Sequence, residues 1–163
     1  MILLVVEGES DGVFFEYAMS QQSSLYPEVQ IIYADGIDKM LQSTLPDAIK
    51  FLKQDLYTKV IAIFDWDKMH EPYGKHSTRI ERLQELLREH PRVGGFPVRN
   101  NLEDLIENCL NQSQKAEFQK RKHKSKLAAV RWAIKQDLDQ HQLKAKLTDL
   151  QKSLQCQLIR DFR

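Results

Sequence analysis

Carboxylates follow two apolar segments of this chain. The segment Val60 to Phe64 leads into Asp65 and Asp67, and the segment Leu3 to Val6 leads into Glu7. Short apolar runs of this kind are typical of buried strands. If the two strands are parallel neighbours, their acids meet at one edge, where mutual repulsion and burial both disfavour the ionised forms. Mg²⁺ relieves that cost with its preference for oxygen ligands, so we expect a metal site there.

The expected metal ligands are Glu7, Asp65 and Asp67. Strand alternation would place Asp65 and Asp67 on the same side of the third strand. Asp11 either caps the helix that follows the first strand or joins the metal shell. A metal held in this way can activate water and neutralise charge on a phosphoryl group. The alternative is that the two aspartates only cap the chain after the strand.

The first two-thirds of the chain alternate between strand-like and helix-like patterns. Strands are predicted over residues 2–6, 29–33, 60–64 and 93–98, and helices over 11–21, 37–54 and 77–89, with Pro46 at a helix start or break. This alternation predicts an α/β fold in which helices cover both faces of a parallel four-stranded sheet. Ligands of such sheets bind beyond the carboxyl ends of the strands.

The final third carries no strand signal and is basic. Helices are predicted over 102–118, 125–138 and 142–159, so we divide the chain into an α/β domain, 1–108, and a helical extension packed on it, 109–163. Between residues 115 and 135, eight basic residues accompany one acid, Glu117. This charge either forms a solvated helix face or binds phosphate. The candidate nucleic-acid-binding residues are Lys120, Arg121, Lys122, Lys124 and Arg131.

Composition limits the classes of protein to consider. The chain has 163 residues, 42% of them hydrophobic and 29% charged, with a net charge of +1. No apolar run approaches the roughly 20 residues that a membrane span requires. Met1 leads directly into a strand without a basic leader, so we expect a cytoplasmic protein. The two cysteines, Cys109 and Cys156, are too few for a disulfide framework.

Two motifs together resemble the Toprim domain of primases, topoisomerases and small nucleases. They are Val6-Glu7-Gly8-Glu9-Ser10-Asp11 and, later, Phe64-Asp65-Trp66-Asp67. In that family a glutamate follows one strand and an Asp-x-Asp pair follows a later one. Asn101-Leu102-Glu103-Asp104 is similar to a further acidic motif of the branch related to the overcoming-lysogenization-defect nucleases. The resemblance covers about residues 1–108.

The resemblance implies a Rossmann-like fold and a role for each acid. Glu7 would be the metal-linked acid–base residue, and Asp65 and Asp67 would be metal ligands. Asp11 and Glu103, with Asp104, would serve a second metal. Glu103 and Asp104 also suit the positive end of a helix, and we favour this interpretation over a second metal site. The basic catalytic residue of that branch would be Lys124 or Lys126.

The resemblance has departures that favour a nuclease. Lys68-Met69-His70 follows the Asp-x-Asp pair, where topoisomerases and primases often carry a glycine, and no zinc-binding module precedes the domain. The expected protein is therefore a nuclease that uses Mg²⁺ or Mn²⁺. Its substrate is nucleic acid, with DNA favoured over RNA and both left open. The nuclease branch usually carries an ATPase domain, which this chain lacks, so a separate ATPase is a candidate recruiting or regulatory partner.

Two other functions remain open. A non-catalytic Toprim-like module would bind nucleic acid or protein through the basic helices and keep the acidic edge as a structural or regulatory site. A receiver-like phosphoacceptor domain also gathers acids at a sheet edge, but Glu7 stands where that class needs an aspartate. A P-loop ATPase is excluded because the chain has no G-x-x-x-x-G-K-[ST] motif.

Overall fold

The computed structural model describes residues 1–22 and 28–162, and within them a parallel sheet of four strands forms the centre of the fold. The strand order is β2-β1-β3-β6, and a short antiparallel hairpin, β4–β5, follows β3. The strands are β1 (Ile2–Val6), β2 (Val29–Tyr33), β3 (Lys59–Asp65), β4 (Pro72–Tyr73), β5 (Ser77–Thr78) and β6 (Val93–Val98).

The predicted α/β class is confirmed, as is the parallel sheet with flanking helices. Three of the predicted strands have the predicted bounds, and β3 is one residue longer at each end. Ile2 of β1 pairs with Val29 on one side and Lys59 on the other, so β1 is a central strand. The carboxyl ends of β1 and β3 therefore lie side by side.

Helices cover both faces of the sheet. They are α1 (Glu9–Ser20), α2 (Ile37–Lys39), α3 (Leu45–Lys53), α4 (Arg79–Arg88), α5 (Leu102–Glu107), α6 (Gln112–Lys122), α7 (Lys126–Ala133), α8 (Gln140–Lys146) and α9 (Thr148–Gln155). Alternate residues of β1 enter different cores: Leu4 and Val6 pack with α1 and the C-terminal helices, while Leu3 and Val5 pack with α2 to α4. Burial on both faces explains why β1 is a continuous apolar run.

The predicted helix over 37–54 is divided into three stretches. The π-helical turn Met40–Thr44 connects α2 to α3, and Pro46 lies in the first turn of α3. Proline is tolerated there because the first backbone N–H groups of a helix have no intrahelical acceptor. The expectation that Pro46 marks a helix start or break is confirmed.

Two of the helices predicted for the final third, 102–118 and 142–159, are wrong because each is divided into two shorter helices. The predicted helix 102–118 ends at Glu107 and restarts at Gln112, where the Asn111 side chain accepts a hydrogen bond from the Gln114 N–H. The predicted helix 142–159 is two helices, α8 and α9. Capping side chains such as Asn111 fix where a helix begins, which apolar periodicity alone does not reveal.

The helical third shares a core with the sheet. Phe118, Val130 and Leu143 are buried in the same cluster as Val6 and Phe14. The boundary at residue 108 stays a prediction, and residue 163 of the predicted extension lies outside the described residues. In the described ranges, no helix combines the length and apolar character needed to cross a membrane.

The C-terminal segment runs along the edge of β6. The backbone N–H of Gly95 donates to the Ile159 carbonyl over 2.9 Å, and the Phe162 ring packs edge-on against Phe64. A Cβ atom on Gly95 would lie 2.7 Å from the Phe162 ring, so glycine permits this close approach. The segment therefore covers part of a sheet edge that would otherwise be open.

Candidate functional site

Three acids gather at the carboxyl edge of the sheet, and among residues 1–22 and 28–162 they are the buried carboxylates. Glu7 follows β1, Asp65 ends β3 and Asp11 lies in the first turn of α1; their exposed fractions are 6%, 2% and 7%. The backbone N–H of Asp65 donates to Oε2 of Glu7 over 3.2 Å. We call these three residues the acidic cluster.

Backbone N–H groups orient the two aspartates of the acidic cluster. Oδ1 of Asp65 accepts from the Leu102 N–H at the start of α5, 3.0 Å away. Oδ2 of Asp11 accepts from the Gly8 N–H over 3.1 Å. Asp11 thus satisfies an N–H at the start of α1, as its capping interpretation predicted, and also lies within the cluster.

Lys68 is in direct contact with two acids of the acidic cluster. It ends the 3₁₀ turn Trp66–Lys68 that follows β3, and its Nζ lies 3.0 Å from Oε1 of Glu7 and 3.4 Å from Oδ2 of Asp65. Burial acts to lower the pKa of Lys68, but the two carboxylates outweigh it and raise the pKa above its ordinary value. Lys68 is therefore charged at neutral pH.

Burial and mutual repulsion disfavour the ionised forms of the two aspartates in the acidic cluster. Burial raises the pKa of Asp65 to about 7, and the charges of Glu7 and Asp11 add to the rise. Burial also raises the pKa of Asp11, with Glu7 acting in the same direction. Lys68 and Lys126 lower both pKa values without restoring them. An additional cation at this edge would stabilise the ionised carboxylates.

Asp67 does not continue the strand alternation on which its predicted position depended. β3 ends at Asp65, and the 3₁₀ turn that follows has no two-residue alternation. Asp67 is exposed and accepts a hydrogen bond from Nδ2 of Asn101 over 3.4 Å. The turn brings Lys68, rather than Asp67, back to Asp65.

The second acidic motif lies beside the cluster without joining it. Glu103 and Asp104 occupy the first turn of α5, and Oε1 of Glu103 lies 3.3 Å from Nζ of Lys126. Oδ1 of Asn101 accepts from the Asp104 N–H and caps α5. These contacts match the interpretation that Glu103 and Asp104 complement the positive end of a helix. A role in binding a second metal stays a prediction.

The predicted basic catalytic residues lie in different environments. Lys126, at the start of α7, is close enough to influence the pKa values of Asp11 and Asp65. Lys124 is exposed in the turn before α7. Proximity to the cluster therefore favours Lys126 over Lys124.

Acids of the same helix and of other elements pair with several residues of the basic helices. Arg121 pairs with Glu117 and lies over the Trp132 ring, Lys122 lies 3.6 Å from Glu107, and Arg131 lies 3.4 Å from Glu9. Lys120 and Lys124 are exposed. The fold thus partly neutralises a region that has a single acid in the local sequence.

The acidic cluster meets one requirement of a metal site and lacks another. Carboxylate oxygens suit Mg²⁺ and Mn²⁺, and burial together with the neighbouring acids raises the pKa values of Asp11 and Asp65, which a bound cation would lower. Yet the ranges 1–22 and 28–162 contain no group of three or more His, Cys, Asp or Glu residues arranged to hold an ion. Nζ of Lys68 lies against one oxygen of Glu7 and one oxygen of Asp65 in this structure.

Comparisons of the chain with protein-family models, with curated proteins and with solved structures find no match. The resemblance to Toprim domains therefore depends on the motifs quoted above and stays a prediction.

Lys68 is the functional candidate that the sequence motifs did not identify. The available signal was its position three residues after Asp65, because residues at that spacing lie close together once the chain enters a helical turn. The three-residue spacing identifies Lys68 only if the strand is known to end at Asp65. The Leu102 N–H that holds Asp65 was likewise not foreseeable, since a backbone donor has no residue-type signature.

Proposed function

We propose that this protein is a Mg²⁺- or Mn²⁺-dependent nuclease of the Toprim type that hydrolyses phosphodiester bonds. The observation that carries the proposal is the buried acidic cluster at the carboxyl edge of a parallel sheet, where burial and neighbouring acids raise the pKa of Asp65 to about 7. Buried, perturbed acids at this edge favour a functional site over a structural one.

Each residue of the cluster has a proposed role. Glu7, Asp65 and Asp11 would hold the cation, with Asp67 at the exposed rim of the site. A bound divalent ion would supply activated water and neutralise charge at a phosphoryl group. The Asp65 N–H and the Leu102 N–H fix the carboxylates of Glu7 and Asp65 before any ligand binds, which lowers the cost of ordering the site. Lys126 adds positive charge beside the cluster, where a phosphate would lie.

The proposed substrate is nucleic acid, with DNA favoured over RNA, and the proposed location is the cytoplasm. Lys120 and Lys124 extend positive charge along the helical third and would contact phosphates without reading sequence. A separate ATPase remains a proposed partner, on the resemblance alone.

Plasmid cleavage with substituted proteins tests the nuclease proposal. The test compares wild type with Asp65→Asn and Glu7→Gln in Mg²⁺ or Mn²⁺, and each substitution should reduce cleavage at least about 100-fold because it removes a ligand charge. The matched controls are Asp47→Asn and Glu16→Gln, which change exposed acids outside the cluster. Circular dichroism establishes that each variant is folded. Equal cleavage by wild type and Asp65→Asn would reject the assignment.

A non-catalytic binding module is the second candidate, and one observation favours it. Lys68 already pairs with Glu7 and Asp65, so the cluster is partly neutralised without a metal. This candidate predicts salt-sensitive binding of nucleic acid with no cleavage in any divalent cation. The same plasmid experiment, with binding measured by fluorescence anisotropy, separates the two.

A further inference from the structure

Within the described part of the chain, the ammonium group of Lys68 contacts the oxygens of Glu7 and Asp65 that accept no hydrogen bond from a backbone N–H group. In Glu7, Oε2 accepts the Asp65 N–H, and Oε1 lies 3.0 Å from Nζ of Lys68. In Asp65, Oδ1 accepts the Leu102 N–H, and Oδ2 lies 3.4 Å from the same Nζ. One oxygen of each acid is thus fixed by the backbone while the other contacts Lys68.

We propose that Lys68 is a built-in counter-cation that a divalent metal displaces when it binds Glu7 and Asp65. This inference rests on the proposed function, because it assigns the metal to the acidic cluster. It adds that binding is an exchange of one cation for another, so the metal affinity of the wild-type protein is set partly by the strength of the Lys68 contacts.

Simultaneous binding of the ammonium group and a metal is unfavourable. Mg²⁺ requires oxygen ligands at about 2.0–2.1 Å in near-octahedral geometry. An ion coordinated by Oε1 of Glu7 and Oδ2 of Asp65 would occupy the space between these atoms, where Nζ now lies. The two positive charges would also repel each other strongly in a buried site of low dielectric constant.

Lys68 is able to leave without disturbing the fold. Its side chain is 39% exposed, whereas the side chains of Glu7 and Asp65 are 8% and 2% exposed. A lysine ammonium group is a point charge on a flexible four-carbon stem, and it makes no planar two-pronged contact that would resist removal. Arg79 illustrates the opposite case, since its guanidinium contacts both Asp38 and Glu71.

A purely structural ion pair predicts a different response to substitution. If Lys68 only stabilised the fold, its removal would destabilise the protein and would leave metal binding unchanged or weaker. Displacement predicts opposite changes: the metal-free protein loses stability because Glu7 and Asp65 lose their counter-cation, while metal binding becomes tighter because no competitor remains.

The test is a titration of the full chain with Mn²⁺. Calorimetry measures the heat of binding, and the paramagnetic signal of free Mn²⁺ measures how much of the ion stays unbound. Lys68→Met keeps the length of the side chain and removes its charge; Lys75→Met, at an exposed hairpin position, is the matched control. We expect Mn²⁺ to bind Lys68→Met at least about tenfold more tightly than wild type. Lys75→Met should bind as wild type does, and the bound Mn²⁺ should raise the melting temperature of Lys68→Met most.

The outcomes separate this inference from the proposed function. Suppose that wild type binds Mn²⁺ and that Asp65→Asn abolishes this binding. If Lys68→Met then binds Mn²⁺ as tightly as wild type or more weakly, displacement is overturned but the proposed metal site is not. No Mn²⁺ binding by wild type or Lys68→Met would overturn both. If Lys68→Met does not fold, ¹⁵N NMR of the lysine ammonium groups in wild type replaces it. The Lys68 signal should shift to a solvent-exposed value on Mg²⁺ addition, and an unchanged signal in Mg²⁺-saturated protein would overturn displacement.

Discussion

Glu7 accepts a hydrogen bond from the backbone N–H of Asp65, so a side chain at the end of β1 is bonded to the main chain at the end of β3. The backbone pairing of these strands runs from Ile2–Lys59 to Val5–Ala62, and this contact extends their connection to the edge where the acids lie. The distance between the two carboxylates is therefore controlled by strand pairing rather than by a flexible loop.

We predict that the metal-free protein loses stability as the pH rises from 5 to 8. The pKa of Asp65 is about 7 in the folded protein and has its ordinary value, 3.8, in the unfolded chain. Between these values the folded state binds more protons than the unfolded state, so the free energy of unfolding falls with pH and levels off above pH 7. For Asp65 alone the full effect is at most about 4 kcal/mol.

Urea denaturation in the presence of EDTA measures this dependence. Asp65→Asn cannot ionise and should show a shallower decline between pH 5 and 8 than wild type. Asp47→Asn, which changes an exposed acid, should follow the wild-type curve. A wild-type free energy of unfolding that stays constant or rises over this range would contradict the prediction.

The strands were predictable because their physical cause is local. A strand buried on both faces must be largely apolar, and β1 and residues 60–64 of β3 show this directly in the sequence. The break between α5 and α6 was not predicted, since the start of α6 depends on a single hydrogen bond to the Asn111 side chain. Periodicity records which residues are apolar, whereas capping depends on one polar residue in the right backbone conformation.

The acidic cluster was predictable only in part. Glu7 and Asp65 follow from the ends of neighbouring strands, which the sequence indicates by position. Asp67 was assigned to the strand and Lys68 was missed for the same reason: the chain changes from a strand to a 3₁₀ turn at Asp65. The pairing of Arg131 with Glu9 joins residues far apart in the sequence, so no local pattern could show it.

We predict that the exposed lysines of the helical third supply salt-dependent affinity for nucleic acid. Lys120→Glu combined with Lys124→Glu should weaken binding of a DNA duplex about tenfold or more. It should also reduce the slope of log affinity against log salt by about two, because each lost phosphate contact contributes roughly 0.9. Fluorescence anisotropy between 50 and 200 mM salt measures both quantities.

The matched control reverses two lysines on another face of the molecule. Lys50 and Lys53 lie on α3, which covers the opposite face of the sheet from α6 and α7, and both are exposed. Lys50→Glu combined with Lys53→Glu changes the net charge by the same amount. If both double variants lose affinity equally, the attraction comes from net charge and the helical third is not the binding surface.

We predict opposite effects of alanine at two glycines, measured by urea denaturation. Gly95→Ala should destabilise the protein by about 1–3 kcal/mol, because the new Cβ would lie 2.7 Å from the Phe162 ring and 3.0 Å from the Phe64 ring. Gly12→Ala places its Cβ at an ordinary 3.5 Å from Tyr33 within α1. It should stabilise the protein by about 0.5–1 kcal/mol, since alanine loses less conformational freedom in a helix.

A double variant identifies the C-terminal segment as the source of the Gly95 effect. Phe162→Leu shortens the side chain that the new Cβ would meet, so Gly95→Ala should cost less in that background than in wild type. The expected difference is about 1 kcal/mol, within the usual range for residues in contact. The contrary result is that Gly95→Ala lowers the free energy of unfolding equally with and without Phe162→Leu. That result would place the clash at Phe64 on β3, and it would show that the C-terminal segment can approach β6 without a glycine at position 95.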